Sequence, residues 1–181
     1  MTTVTTVRSV RPEEYNRLSE LTVAAYRGLL GDDLDLGYVA ELADVAGRAE
    51  RVDVLVAVDD RGVVVGGIAY VGGPGPLAWF EGNDEVGLRM LAVAPEAQGQ
   101  GVGAALIAAC VQRATDTGKR RVLLHTTASM TTAHRLYERA GFRRDPERDE
   151  VLPSGLQLLA YALELRPGDR VAAHRPGGGI G

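Results

Sequence analysis

Residues 98 to 104, Gln-Gly-Gln-Gly-Val-Gly-Ala, place three glycines at alternate positions directly before an apolar helical pattern. Glycine is costly inside a helix and useful where backbone must come close to a ligand. A glycine-rich turn at a helix N-terminus is an anion site, because its N–H groups lack partners and the helix dipole adds partial positive charge. Three ligand classes compete for such a loop. A triphosphate-binding loop needs Gly-Lys-Ser/Thr, and neither lysine nor hydroxyl follows these glycines. A dinucleotide fingerprint is met formally by Gly99, Gly101 and Ala104. It requires the glycines straight after a strand and an acid about 20 residues on. Here Pro95, Glu96, Ala97 and Gln98 intervene, and the next strand ends at His125. For an isolated loop, a purely structural connection would serve as well.

The third class fits more than the loop. Gln98-x-x-Gly101-x-Gly103, after "LRMLAVAP", resembles the acetyl-CoA motif of the GNAT-family acetyltransferases. "TTAHRLYERAGFRR", Thr131 to Arg144, resembles that family's second motif, a helix with a tyrosine followed by Gly-Phe. "VVVGGIAYV" resembles the strand before the cofactor strand. The similarity runs from Val54 to Leu165 in the right order. It implies a three-layer α/β fold: a mixed, mostly antiparallel central sheet, a splayed parallel strand pair and helices on both faces. It implies acetyl-CoA as cosubstrate. The pantetheine arm would pair with the backbone of Leu91, Ala92 and Val93. The pyrophosphate would rest on the N–H groups of Gly99, Gln100, Gly101, Val102, Gly103 and Ala104, with Gln98 adding an uncharged side-chain donor.

The same resemblance implies direct transfer to an amine, with no covalent enzyme intermediate. Met130, Ala133, Tyr137 and Ala140 share one helical face, toward the cofactor. A phenol near the sulfur protonates or hydrogen-bonds the departing thiolate. Outside this motif, Tyr137 reads as a core tyrosine. Two positions depart from the family pattern. Met130 stands where an asparagine often helps hold the cofactor. Gly87 stands where the cofactor strand often carries glutamate, although Glu85 lies two residues earlier on the same strand face. The base that takes the amine proton is then Glu85, His125 or neither, since an amine of low pKa needs no strong base. Glu85 would act through water; His125 ends the partner strand, where some relatives carry a catalytic glutamate. The plain alternatives are a solvated strand end and a core histidine. Glu85 is favoured, because its strand neighbours the acidic stretch "WFEGNDE". That stretch and "GDDLDLG" suit a cationic amine, and Trp79 and Phe80 an apolar wall.

These residues need elements to position them. "TVTTVRSV" reads as a strand. Pro12 opens a helix with Leu18, Leu21, Ala25 and Leu29 at helical spacing. "DLGYVAELADVAGRAE" reads as one weaker helix. "VDVLVAV", "DDRG" and "VVVGGIAYVG" make a hairpin. A loop with Pro74 and Pro76 leads to the strand "EVGLRMLAVAP". The helix that follows carries Val102, Leu106, Ala109, Cys110 and Arg113 on one face and stops at Gly118. "RRVLLHTT" is a strand, and Ser129 suits the N-cap of the next helix. Two strands close the fold, around Phe142 and across "LQLLAYALEL".

Composition narrows the class. At 181 residues the chain predicts one domain, assigned to 1–166, with a mobile tail at 167–181. A net charge of -4 argues against nucleic-acid binding. The one cysteine, Cys110, falls on an apolar helix face and excludes an intrachain disulfide. No metal site is expected from Cys110, His125, His134 and His174, with His134 facing water and His174 in the tail. No segment reads as a signal or membrane span, so a cytoplasmic protein without membrane partners is expected. A homodimer is compatible with this reading. The competing functions are a non-catalytic acyl-CoA-binding sensor or interaction module, and a nucleotide-binding α/β protein, which the loop disfavours.

Overall fold

The computed structural model describes residues 6–166. Eight strands form the sheet: β1 (Thr6–Ser9), β2 (Asp53–Val58), β3 (Val64–Val71), β4 (Glu85–Val93), β5 (Arg121–Thr126), β6 (Arg143–Arg144), β7 (Glu150–Val151) and β8 (Gln157–Glu164). Their order is β1-β2-β3-β4-β5-β8-β6, and β7 also pairs with β8. Every pairing is antiparallel except β4 with β5. The helices are α1 (Tyr15–Leu30), α2 (Leu36–Ala43), α3 (Val45–Ala49), α4 (Val102–Asp116) and α5 (Thr131–Arg139).

Two adjacent glycines of β3 show how the layers stack. A side chain on Gly66 would run into Val102 and Leu106 of α4, and one on Gly67 would run into Leu18 of α1. Neighbouring strand residues point to opposite faces, so α1 and α4 cover opposite faces of the sheet. Each helix approaches so closely that β3 has no room for a Cβ at these points. Leu55, Val86, Leu88, Leu106, Ile107 and Cys110 fill the α4 side. Leu18, Val45, Val54 and Val56 fill the α1 side. Val71, Phe80 and Leu123 form a third apolar cluster against Trp79.

Several elements differ from the sequence reading. The expected single helix after Asp35 is two helices. Asp44 leaves helical geometry at ψ 66°, and its carboxylate accepts the Gly47 N–H and so caps α3. Arg113 does not belong to the core face of α4: it pairs with Asp53 at 2.7 Å and lies over the Tyr70 ring. Ser129 is not the N-cap of α5. That position is Met130, and the Ser129 hydroxyl bonds Thr127 instead. β7 carries no apolar run that would announce it, and Phe142 is a buried core residue just ahead of β6. Gly118 does close α4, at φ +68°. The tail at 167–181, with His174, lies outside the described residues.

The feature that matters for function is a parting of strands. β5 pairs with β4 only along Glu85–Leu88, opposite Arg121–Leu124. Beyond that point β4 runs on to Val93 bonded to β3 alone. The β3–β4 register shifts between Gly67 and Ala69, and Met90 opposite takes φ +55°. A left-handed conformation is uncommon outside glycine, and such bulges bend a strand away from its neighbour. The gap therefore opens at the C-terminal ends of β4 and β5, with Leu91, Ala92 and Val93 along its rim.

Candidate active site

The rim of the gap is built from the residues that the sequence singled out. Leu91 and Val93 are half-buried against the core, and Ala92 is buried. Their outer backbone edge faces no strand, since β5 has already diverged. Directly after them, Gly99 and Gly101 turn the chain at φ +72° and +82°, and a Cβ on either would meet open space. Here glycine is required by the backbone conformation, not by crowding. Gly103 is different. Its φ is ordinary, but a Cβ would sit 3.0 Å from Leu136 of α5. The first bond of α4 runs from Ala105 N–H to the Gly101 carbonyl. Helix geometry thus leaves the amides of Val102, Gly103 and Ala104 for another acceptor. Gln98 and Gln100 turn their side-chain amides back onto the carbonyls of Val93 and Glu96.

One buried group beside the gap escaped sequence reasoning. Thr126, the last residue of β5, is 3% exposed, and its buried hydroxyl has no hydrogen-bond partner among the described residues. A buried hydroxyl without a partner costs roughly 1–3 kcal/mol. No sequence signal distinguishes it from its neighbour Thr127, whose hydroxyl is engaged with Ser129.

Tyr137 is buried, packed between Phe142 and Tyr161 at ring distances of 6.2 and 6.1 Å. Burial pushes its phenol up to about 12. Tyr26 of α1 lies within electrostatic reach of Tyr137, although their helices belong to opposite layers. His134, on the same helix, does not face water as expected. Its Nε2 donates to the Thr127 carbonyl at 2.8 Å and its ring packs on Tyr161, which ties the start of α5 to the end of β5.

The two candidate bases sit at opposite ends of the strand pair. His125 stands at the opening, half-buried and 5.2 Å from the Trp79 ring. Its Nε2 lies 2.9 Å from the Arg148 carbonyl. A carbonyl only accepts, so Nε2 is the donor, and in the neutral ring Nδ1 is the acceptor. Glu85 stands at the closed end, four residues before Arg89, or about 13 Å along the strand. It is not a solvated strand end: it is buried, and its carboxylate pairs with Arg148 at 2.7 Å and Arg121 at 3.2 Å. Glu85 and His125 are nevertheless connected. Glu85 grips the side chain of Arg148, whose backbone carbonyl holds His125. Glu85→Ala should lower stability by roughly 1–3 kcal/mol, the worth of hydrogen bonds to a charged group. A urea midpoint that falls at unchanged slope would register it.

The acidic stretch before β4 also departs from expectation. Asp84 pairs with Arg120 at 3.0 Å and Glu85 with two arginines, so these charges are neutralised at the closed end. Gly87 is explained by packing: a Cβ there would lie 2.7 Å from Trp79 and 2.9 Å from Phe80. Cys110 is fully buried, and burial pushes its thiol up to about 12, which makes it inert. Among the described residues no cluster of three His, Cys, Asp or Glu side chains could hold a metal. No described helix is long and apolar enough to cross a membrane.

Known proteins share this fold. The chain is 35% identical over 114 residues to a mycothiol acetyltransferase of Pseudarthrobacter chlorophenolicus, matching 56% of this chain and 32% of that protein. It thus spans about a third of the length of that relative. An acetyltransferase of the GNAT family from Staphylococcus aureus shares the fold at TM-score 0.72 and 16% identity, over 90% of this chain and all of that one. A GNAT superfamily phosphinothricin acetyltransferase from Sinorhizobium meliloti, solved in complex with acetyl-CoA, does so at 0.64 and 20%, over 93% and 91%. The family model for the acetyltransferase (GNAT) family matches residues 15–142, from α1 to the phenylalanine behind Tyr137, so the chain belongs to that family.

Proposed function

We propose that this chain, as a single domain over 1–166, transfers an acetyl group from acetyl-CoA to an amine within a ternary complex. The observation that carries the reading is the gap itself, with its free strand edge, its unpartnered Thr126 hydroxyl and the open glycine turn at the head of α4. These groups suit a long polar arm with an anionic head. The backbone of Leu91–Val93 holds the arm as an added strand would. Thr126 gives it the polar contact that Met130 lacks. The pyrophosphate lies on the amides from Gly99 to Ala104, where the helix dipole adds to their attraction. For Gln98 to join them, its amide must leave the Val93 carbonyl, a contact of only 3.4 Å.

Acetyl-CoA supplies a thioester whose carbonyl carbon accepts the amine nitrogen. The C–N bond forms, the C–S bond breaks, and sulfur leaves as thiolate. Backbone N–H groups on the β4 rim polarise the carbonyl with fixed dipoles. Tyr137 donates a hydrogen bond to the sulfur. With its phenol near 12 and an ordinary thiol near ~8.5, it stabilises the thiolate without surrendering its proton. The Nδ1 of His125 takes the amine proton, directly or through one water. Glu85 positions His125 through Arg148.

The test begins with binding. Acetyl-CoA should raise Tm, since a ligand of the native state alone stabilises by mass action, by about 2.7 kcal/mol at a hundredfold excess over Kd. Gly101→Asp should abolish that rise, because it puts a side chain in a left-handed turn and a negative charge against the pyrophosphate. A full rise in a folded variant would overturn the phosphate assignment. A panel of amines, with release of free thiol as readout, then separates an enzyme from a binding module.

A further inference from the structure

Arg89 is the first residue of β4 beyond the last pairing with β5, and it faces the α1–α3 layer. One guanidinium nitrogen donates to the Leu77 carbonyl at 3.1 Å. Another lies 3.5 Å from Glu41 of α2, and the group sits 5.8 Å over the Trp79 ring. Trp79 in turn faces His125. The guanidinium is therefore oriented by a carbonyl and a ring, yet its side chain remains 30% exposed. Its contact with Glu41 is at the limit of a hydrogen bond, and Glu41 is itself 46% exposed. A loose, solvated pair of this kind is worth little, so Glu41 yields its place at small cost.

A second guanidinium stands behind it. Arg48 is 5% exposed and donates to the carbonyls of Glu41 and Leu42 at the end of α2. Among the described residues no carboxylate lies within ion-pair distance of it. Burial disfavours its charge most; the carboxylates of Asp44 and Glu41 offset this from a distance, and Arg89 opposes them more weakly. Buried charges call for a compensating charge. The wall beside the gap thus presents one oriented, part-exposed guanidinium whose only carboxylate contact among the described residues is the loose one to Glu41.

We propose that the acceptor carries a carboxylate close to the amine that is acetylated, and that Arg89 receives this carboxylate. The fork of donors on arginine matches a carboxylate in planar, bidentate fashion. Held there, the acceptor lies on the α1–α3 side of the gap, between the Trp79–His125 wall and the rim of β4. This inference rests on the acetyl-transfer reading and adds the acceptor class to it.

The experiment compares α-amino acids with their carboxamides as acceptors at fixed acetyl-CoA, by release of free thiol. The acids should exceed the amides in kcat/KM by roughly 10- to 1000-fold, below the discrimination of a fully buried polar site, because Arg89 is part-exposed and the amide keeps one acceptor oxygen. Arg89→Met should bring the ratio close to one through KM for the acid, while KM for acetyl-CoA changes less than about twofold; Arg89→Lys should keep part of the preference. Acids no better than amides, or an unchanged ratio in Arg89→Met, would overturn the inference. Failure of the underlying reading looks different: no thiol release with any amine and no rise in Tm with acetyl-CoA, and the inference falls with it.

Discussion

Replacing Tyr137 with phenylalanine is expected to lower kcat by roughly 10- to 1000-fold, at or below the usual general-acid contribution because the phenol hydrogen-bonds the thiolate and keeps its proton, while acetyl-CoA still raises Tm as in the wild type. The ring would stay between Phe142 and Tyr161, so the fold has no reason to change. What disappears is the hydroxyl. Its effect belongs to the breaking C–S bond and not to the ground state, so kcat should fall with KM nearly constant. The pH profile offers a second readout. Burial raises the phenol to about 12, so the neutral form persists through any working pH. The stability gained by burying that neutral form is complete below the unfolded value near ~10 and is lost only as pH rises through about 12. The wild-type profile should therefore show no alkaline loss from Tyr137 below about pH 11. Turnover at the wild-type rate in the phenylalanine variant would reduce Tyr137 to packing.

The parts of this site that could be read in advance are those in which backbone conformation or local spacing fixes the residue. Gly99 and Gly101 are legible because their left-handed turns exclude most other residues. Tyr137 is legible because it comes with the helix and Gly-Phe that place it. Strands β2 to β5 are legible from their dense apolar runs. Long-range pairing was not legible. Glu85 looks like an exposed acid at a strand end, and only the fold brings Arg121 and Arg148 to it, 36 and 63 residues away in sequence. Gly87 looks like a missing catalytic glutamate until Trp79 and Phe80 are seen to fill its space. Arg89 reads as one more polar position on β4, because its meaning depends on where β5 stops pairing. Thr126 differs from Thr127 only in having no partner.

The choice of base shows how far tertiary placement revises a reading from spacing. Strand periodicity and the acidic stretch favour Glu85, but its place is about 13 Å along β4 from Arg89, and two arginines hold its charge. A carboxylate so engaged would have to break two ion pairs to take a proton. His125 stands at the open end beside Trp79, and in the neutral ring the Arg148 carbonyl fixes the tautomer with the proton on Nε2, leaving Nδ1 as the acceptor. His125→Gln keeps a side-chain N–H for that carbonyl and removes the base. It should lower kcat/KM by roughly 100- to 10,000-fold, within the usual range for general-base catalysis, and erase the acidic limb of the pH profile. Glu85→Gln should lower kcat/KM less and keep that limb, as the proposed positioning of His125 through Arg148 requires. A more acidic amine should recover rate in His125→Gln and not in Glu85→Gln, because only the first variant lacks a proton acceptor. The reverse pattern, with the limb lost in Glu85→Gln and kept in His125→Gln, would return the base to Glu85 and require its ion pairs to open during turnover.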